Sequence, residues 1–123
     1  MTIPALPVEL DFGSTPVAAE AAARSVLAGL PAEALSSVLS AIRSWAPSGG
    51  VTSVSVYCFQ DPEGSDAGEV VLRLRVDADA PEALRRWKAL ARIVDQVKSH
   101  LEERERCLLD RHLAIHLAWE GEP

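Results

Sequence analysis

Two segments of the chain alternate apolar and polar residues, and a polar segment joins them. In residues 51–60 the apolar Val54 and Val56 occupy every second position, and residues 69–77 repeat this alternation. A period of two is typical of a β-strand with one buried face. Residues 61–68, between them, are rich in Gly, Asp and Pro, which form turns. The pattern therefore predicts a β-hairpin with an exposed loop.

Two helices are predicted before this hairpin. Ser14 or Thr15 is suited to cap the first helix, which continues through an alanine-rich run and ends near Gly29. Pro31 begins the second helix, whose apolar residues recur with the helical period of 3.6. Residues 47–50, with the sequence Pro-Ser-Gly-Gly, end it.

A third helix is predicted after the hairpin. Asp79 is suited to the cap position, and Glu82 stands three residues later, as in a capping box. An apolar stripe that includes Trp87 then continues to about residue 107. We expect Trp87 to lie in the core and the helix to run without interruption.

Two further strands complete the predicted elements. Residues 7–12 alternate apolar and acidic residues, and residues 112–119 alternate with Trp119 on the apolar side. We therefore expect Trp119 to be a core residue. For the second segment an alternative stays open, in which residues 107–119 continue as helix.

The resulting order of elements is strand, helix pair, strand, strand, helix, strand. This βαββαβ order is that of ferredoxin-like α+β folds, in which an antiparallel four-stranded sheet carries its helices on one face. In that fold the first and third strands are central neighbours. The alternative, if residues 7–12 do not pair, is an ααββαβ order with a three-stranded sheet. The length fits a single domain over residues 1–123.

Charge and composition narrow the classes of partner. The formal net charge of −6 opposes binding to nucleic acid and to anionic lipid, and no apolar run approaches the length of about 18 residues that a membrane helix needs. The N-terminus has no signal-peptide pattern. Cys58 and Cys107 are the only cysteines, which favours a reducing compartment. We therefore expect a cytoplasmic protein, and the excess of Arg over Lys is typical of GC-rich bacterial genes.

Sequence motifs for cofactor or metal binding are absent. The chain has no phosphate-binding loop and no dinucleotide-binding glycine motif. His112 and His116 are four residues apart, which on a strand separates them by about 13 Å, too far for one metal ion. We predict no cofactor, no metal and no catalytic residue, and an enzyme is the less favoured reading.

The uncovered face of the predicted sheet is the candidate binding surface. If the apolar strand faces pack on the helices, the opposite face gathers aromatic, guanidinium and imidazole groups beside the acidic Glu9 and Asp11. Such groups recognise carboxylates and other anions. The predicted ligand- or partner-binding residues are Tyr57, Phe59, Arg73, Arg75, His112 and His116.

The third helix begins with a cluster of basic residues, whereas residues 1–80 are acidic. This asymmetry is compatible with self-association or with an acidic partner.

We expect a non-enzymatic binding module that forms homo-oligomers or docks to a protein partner. Two alternatives use the same sheet face. One is an enzyme of the dimeric α+β barrel type, with His112 or His116 as acid or base. The other is a sensor of small anionic ligands.

Overall fold

The computed structural model describes residues 15–59 and 69–119, which form four helices and one four-stranded sheet. In chain order the elements are β1 (Val17–Ala19), α1 (Ala21–Ala28), α2 (Ala32–Gly49), β2 (Val51–Phe59), β3 (Glu69–Val76), α3 (Ala80–Ser99), α4 (Glu103–His112) and β4 (Leu113–Ala118). The mixed α+β class agrees with the sequence. The predicted strand 7–12 and the predicted loop 61–68 lie outside the described residues.

The sheet has the order β1-β2-β3-β4, and it is mixed. The hairpin of β2 and β3 is antiparallel as predicted, with Val54 opposite Leu74 and Tyr57 opposite Val71. The outer strands instead run parallel to their neighbours, β1 to β2 and β4 to β3. The prediction of an antiparallel sheet is therefore wrong, and the central pair is the hairpin rather than the first and third strands. The three-stranded alternative does not hold either.

Strand β1 replaces the start of the predicted first helix. The backbone N–H of Val54 donates to the carbonyl of Pro16 at 3.0 Å, and the N–H of Glu20 donates to the carbonyl of Val56 at 2.9 Å. These bonds tie the chain to β2 before α1 begins at Ala21. The high helix propensity of the alanine-rich run is a preference of less than about 1 kcal/mol per residue, so pairing with a distant strand overrides it.

All four helices share a single core on one face of the sheet. Strands β1 and β2 are parallel to each other, and β3 and β4 are parallel to each other but point the opposite way. The helical connection from β1 to β2 and the one from β3 to β4 both move toward the β4 edge of the sheet. With all helices on one face, the two crossovers must have opposite hands. One of them is therefore left-handed, which is uncommon for parallel strands. A ferredoxin-like order avoids this conflict, and this chain does not adopt it.

The long helix predicted from Asp79 is interrupted. Its start is as predicted, because the Asp79 carboxylate accepts from the N–H of Glu82 at 3.0 Å. It ends at Ser99, and a reciprocal capping box between Glu102 and Glu105 begins α4. An ion pair of 2.7 Å between Lys98 and Asp110 spans the joint.

The final strand is confirmed over residues 113–118, but His112 is the last residue of α4. Both readings of this segment therefore hold in part, with helix first and strand after it.

Candidate functional site

The sheet face opposite the helices carries five of the six predicted site residues. Their side chains lie at the strand positions that alternate with the core positions of β2, β3 and β4. Arg73 stands between Ser55 on β2 and His116 on β4, so these three form one row across the sheet. The five residues on this face are Tyr57, Phe59, Arg73, Arg75 and His116.

His112, the sixth predicted residue, lies elsewhere. It ends α4 and lines a cavity of about 320 Å³ together with Val26 and Leu30, close to α1. The expectation that His112 and His116 share one strand face is wrong, because helical backbone at residue 112 places them on different elements.

The sheet face is not uniformly open, and its exposed groups are spread out. Val71 and Ala118, both on this face, are only 4% and 1% exposed. Phe59, in contrast, is 59% exposed. Phe59 and Arg75 lie at opposite ends of the hairpin, because Arg75 pairs with Ser53, six residues before Phe59. At about 3.3 Å per residue that separation is about 20 Å, so the predicted residues do not converge on one pocket.

A furrow between α3 and β4 offers a more concentrated site. One cavity of about 500 Å³ lies between Ala80, Leu84 and Trp87 of α3 and the last residues of β4. A second, of about 160 Å³, continues the furrow toward the start of β4. The two cavities share Trp87 and Ile115, so we treat them as one feature, the α3–β4 furrow. Its lining residues are Ala80, Ala83, Leu84, Trp87, Leu90, Ala91, Val94, Asp95, Lys98, Leu113, Ile115, His116, Leu117 and Trp119.

The furrow is open because α3 packs mainly against α2 and only slightly against β4. The wall at its wider end is built from the small side chains of Ala80 and Ala83, which leave space above the strand. Trp87 and Trp119, which the sequence predicts as core residues, are each half-buried and contribute to the rim. Leu84 is 54% exposed at the same place. An apolar surface of this kind, left uncovered, is typical of a binding site.

Arg86 fixes the position of α3 at the furrow. Its Nη1 donates to the carbonyl of Gly49 at 3.0 Å and to that of Asp77 at 3.5 Å, and its Nε contacts Glu82 at 3.3 Å. One guanidinium therefore joins the end of α2, the end of β3 and the first turns of α3.

Replacing Arg86 with alanine is expected to lower the free energy of unfolding by about 1–3 kcal/mol, because two backbone carbonyls lose a charged donor. Urea denaturation measures the change. Arg92→Ala, an exposed residue of the same helix, serves as the control and should stay within about 0.5 kcal/mol. Equal effects of the two substitutions would show that the Arg86 bonds do not hold the helix.

Strand β4 lines the furrow with Leu113, Ile115, His116 and Leu117, and it is an edge strand. Within the described part of the chain, β4 pairs only with β3, so the backbone N–H and C=O groups of its other edge have no strand partner. Unpaired edge groups of this kind form hydrogen bonds with any extended segment that comes alongside. The apolar furrow therefore lies beside a strand with one unpaired edge.

Helix α3, which forms one wall of the furrow, has a net positive charge, although Asp95 also lines the furrow and Lys98 is paired with Asp110. Helix α3 carries five basic and two acidic residues, a net charge of +3 in a chain of −6, so the remainder of the chain carries −9. Glu82 is already paired with Arg85 at 2.7 Å. Lys88 and Arg92 are exposed and form no ion pair with the described residues.

Metal-binding and membrane-spanning features are not found in residues 15–59 and 69–119. No group of three or more His, Cys, Asp and Glu side chains lies close enough to hold a metal ion. Among these same residues, no helix has the length and apolarity to cross a membrane.

Sequence reasoning missed the furrow because it places Leu84, Trp87 and Trp119 simply on apolar faces. Two features of the sequence could have indicated the furrow. The apolar stripe on α3 is wider than a single packing partner can cover, and two tryptophans lie on the apolar faces. Only the placement of α3 relative to β4 shows which part of that stripe stays open.

Comparisons with models of known protein families, with curated proteins and with solved structures found no match to this chain.

Proposed function

We propose that this protein is a docking module that binds an extended segment of a partner protein along β4. The observation that carries the proposal is an apolar furrow lined by β4, a strand that lies at the edge of the described sheet. In this mode of recognition, backbone hydrogen bonds to the edge strand supply affinity, and pockets for alternate side chains supply specificity. The proposal concerns binding and involves no chemical step.

The dimensions of the furrow suit such a segment. Strand β4 has six residues, which correspond to about 20 Å of extended chain. A bound segment of about six residues would direct every second side chain between α3 and the sheet. The larger cavity, about 500 Å³, lies within the range of about 300–1,000 Å³ that is usual for ligand sites. It has room for large apolar side chains.

The first test compares two exposed apolar residues on different surfaces. Leu84, in the furrow, and Phe59, on the opposite sheet face, are 54% and 59% exposed, so they form a matched pair. The probe is a seven-residue peptide of alternating Leu and Gln with blocked ends and a fluorophore. We expect Leu84→Asp to weaken its binding about tenfold or more, because a carboxylate replaces an apolar wall, while Phe59→Asp leaves it unchanged. Fluorescence anisotropy measures both.

The opposite result would favour the sheet face. If Phe59→Asp weakens binding and Leu84→Asp does not, the site is the open sheet face around Phe59. The furrow proposal would then be wrong. Circular dichroism of both variants establishes that each remains folded.

A second test addresses the backbone hydrogen bonds. In a strand added at an edge, alternate N–H groups face the neighbouring strand and the others face away. Two versions of the peptide are therefore N-methylated on one or the other alternate set. Strand addition requires that one version loses binding and the other retains it. Equal binding of both would show that the peptide contacts the furrow only through side chains.

A second copy of this chain is the alternative occupant, because β4 is an edge strand among the described residues and two such edges can pair with each other. Sedimentation of the wild type and of Leu84→Asp tests this. A dimer that dissociates on Leu84→Asp would identify the second copy as the partner, and a monomer in both cases favours a different protein.

A further inference from the structure

We infer that the segment bound in the α3–β4 furrow alternates apolar residues with acidic ones. This inference rests on the proposed function and specifies the chemistry of the partner. It follows from the charges that lie on both sides of the position a bound strand would occupy.

The first side is the sheet face. Residues of an added strand that do not enter the furrow lie on the same face as the alternate residues of β4, namely Ala114, His116 and Ala118. His116 is exposed and is the cross-strand neighbour of Arg73. An acidic residue placed beside His116 therefore meets an imidazole, with a guanidinium one strand further. The positive charge of Arg73 attracts that carboxylate, and a ring N–H of His116 can donate a hydrogen bond to it.

The second side is α3. This helix has a net charge of +3 and borders the furrow along its length, and Lys88 lies one turn beyond Leu84. A carboxylate on the bound segment is attracted to this helix, and a basic residue is repelled.

The same charges disfavour a second copy of this chain as the occupant. A two-fold symmetric pair brings the same surface of each copy together, so α3 of one copy would face α3 of the other. The two copies of α3, each with five basic and two acidic residues, would then repel each other. An acidic segment of another protein has the complementary charge.

The experiment uses three seven-residue peptides in which Leu alternates with Glu, with Gln or with Lys. Each opposite-charge pair contributes a factor of about 1.4 to 5 in affinity, so we expect the Glu peptide to bind several-fold to about tenfold more tightly than the Gln peptide. The Lys peptide should bind most weakly. The differences should shrink between about 0.05 M and about 0.5 M NaCl, because salt screens exposed charges.

The outcomes separate this inference from the proposed function. Equal affinities of the three peptides, or a preference for Lys, would overturn the acidic preference and leave docking in the furrow intact. Absence of binding by all three would overturn the docking proposal itself. A Glu preference that persists unchanged at high salt would also contradict an origin in surface charge.

Two charge-reversal variants test whether the preference for the Glu peptide arises at the furrow. Lys88→Glu, one helical turn after the furrow residue Leu84, and Arg24→Glu, on α1, both reverse one exposed charge on a helix and change the net charge equally. We expect Lys88→Glu to reduce the Glu-over-Gln preference at least about twofold and Arg24→Glu to leave it unchanged. Equal losses in both variants would mean that the preference reflects net charge rather than this site.

Discussion

Replacing Leu72 with alanine is expected to lower the free energy of unfolding by about 2–5 kcal/mol. Leu72 lies in the middle of β3, a central strand, and is only 1% exposed. Its neighbours across the two strand pairs are Val56 and Ile115. Because strands and helices surround the site, the protein cannot collapse into the space that the side chain leaves. Chemical denaturation followed by circular dichroism measures the change.

Leu84→Ala is the matched control for this prediction. It removes the same atoms from a side chain that is 54% exposed, so a change below about 1 kcal/mol is expected. The two leucines should therefore differ in role, with Leu72 required for folding and Leu84 for binding the Leu-Gln peptide. A larger loss of stability at Leu84 than at Leu72 would show that the assignment of core and furrow is inverted.

Replacing Gly49 with alanine is expected to lower the free energy of unfolding by about 1–3 kcal/mol, although alanine is normally the better helix residue. A β-carbon at this position would lie 2.5 Å from the ring of Trp45, one turn earlier in α2. That ring is 8% exposed, so it is confined by the core and must be displaced. Overpacking of a rigid ring therefore outweighs the gain in helix propensity.

Gly29→Ala provides the comparison at the end of α1. There a β-carbon would meet only the carbonyl of Val26 at 3.5 Å, an ordinary contact. The substitution restricts the unfolded chain and is expected to be neutral or to stabilise by about 0.4–1 kcal/mol. Thermal denaturation of both variants gives the contrast, and a destabilisation at Gly29 equal to that at Gly49 would mean that the Trp45 contact is not its cause.

Among the predicted elements, those with strong local signals are present in the structure. The hairpin follows from alternation and a turn-forming segment, and the start of α3 follows from the Asp79 cap. Helix α2 ends close to the predicted point, where Gly50 adopts a φ of 70° that favours glycine. In each case the residues that determine the element are close together in sequence.

The elements that the sequence did not predict depend on distant residues. Strand β1 forms because β2 offers a partner, although the local preference of its alanines is helical. The end of α3 follows from the packing of α4 and from weaker signals, such as the pair of Glu102 and Glu105. Without a Gly or Pro near residue 100, the pattern alone gives no reason to interrupt the helix.

The residues of the predicted site also include some that the sequence placed correctly and one that it did not. Alternation along β2 and β3 placed Tyr57, Phe59, Arg73 and Arg75 together on one face, because side chains on a strand necessarily alternate. His112 was misplaced because a one-residue change in where the helix ends moves a side chain to a different surface.

The sequence by itself determined the α+β class, the central hairpin, four helix boundaries and the polar face of the sheet, since these depend on local periodicity and capping. The tertiary structure decided the parallel outer strands, the opposite hands of the two crossovers and the furrow beside β4. These features depend on how α3 packs against α2 and on which strand pairs with each edge of the β2–β3 hairpin. Such contacts join residues far apart in the chain, and no local pattern specifies their relative position.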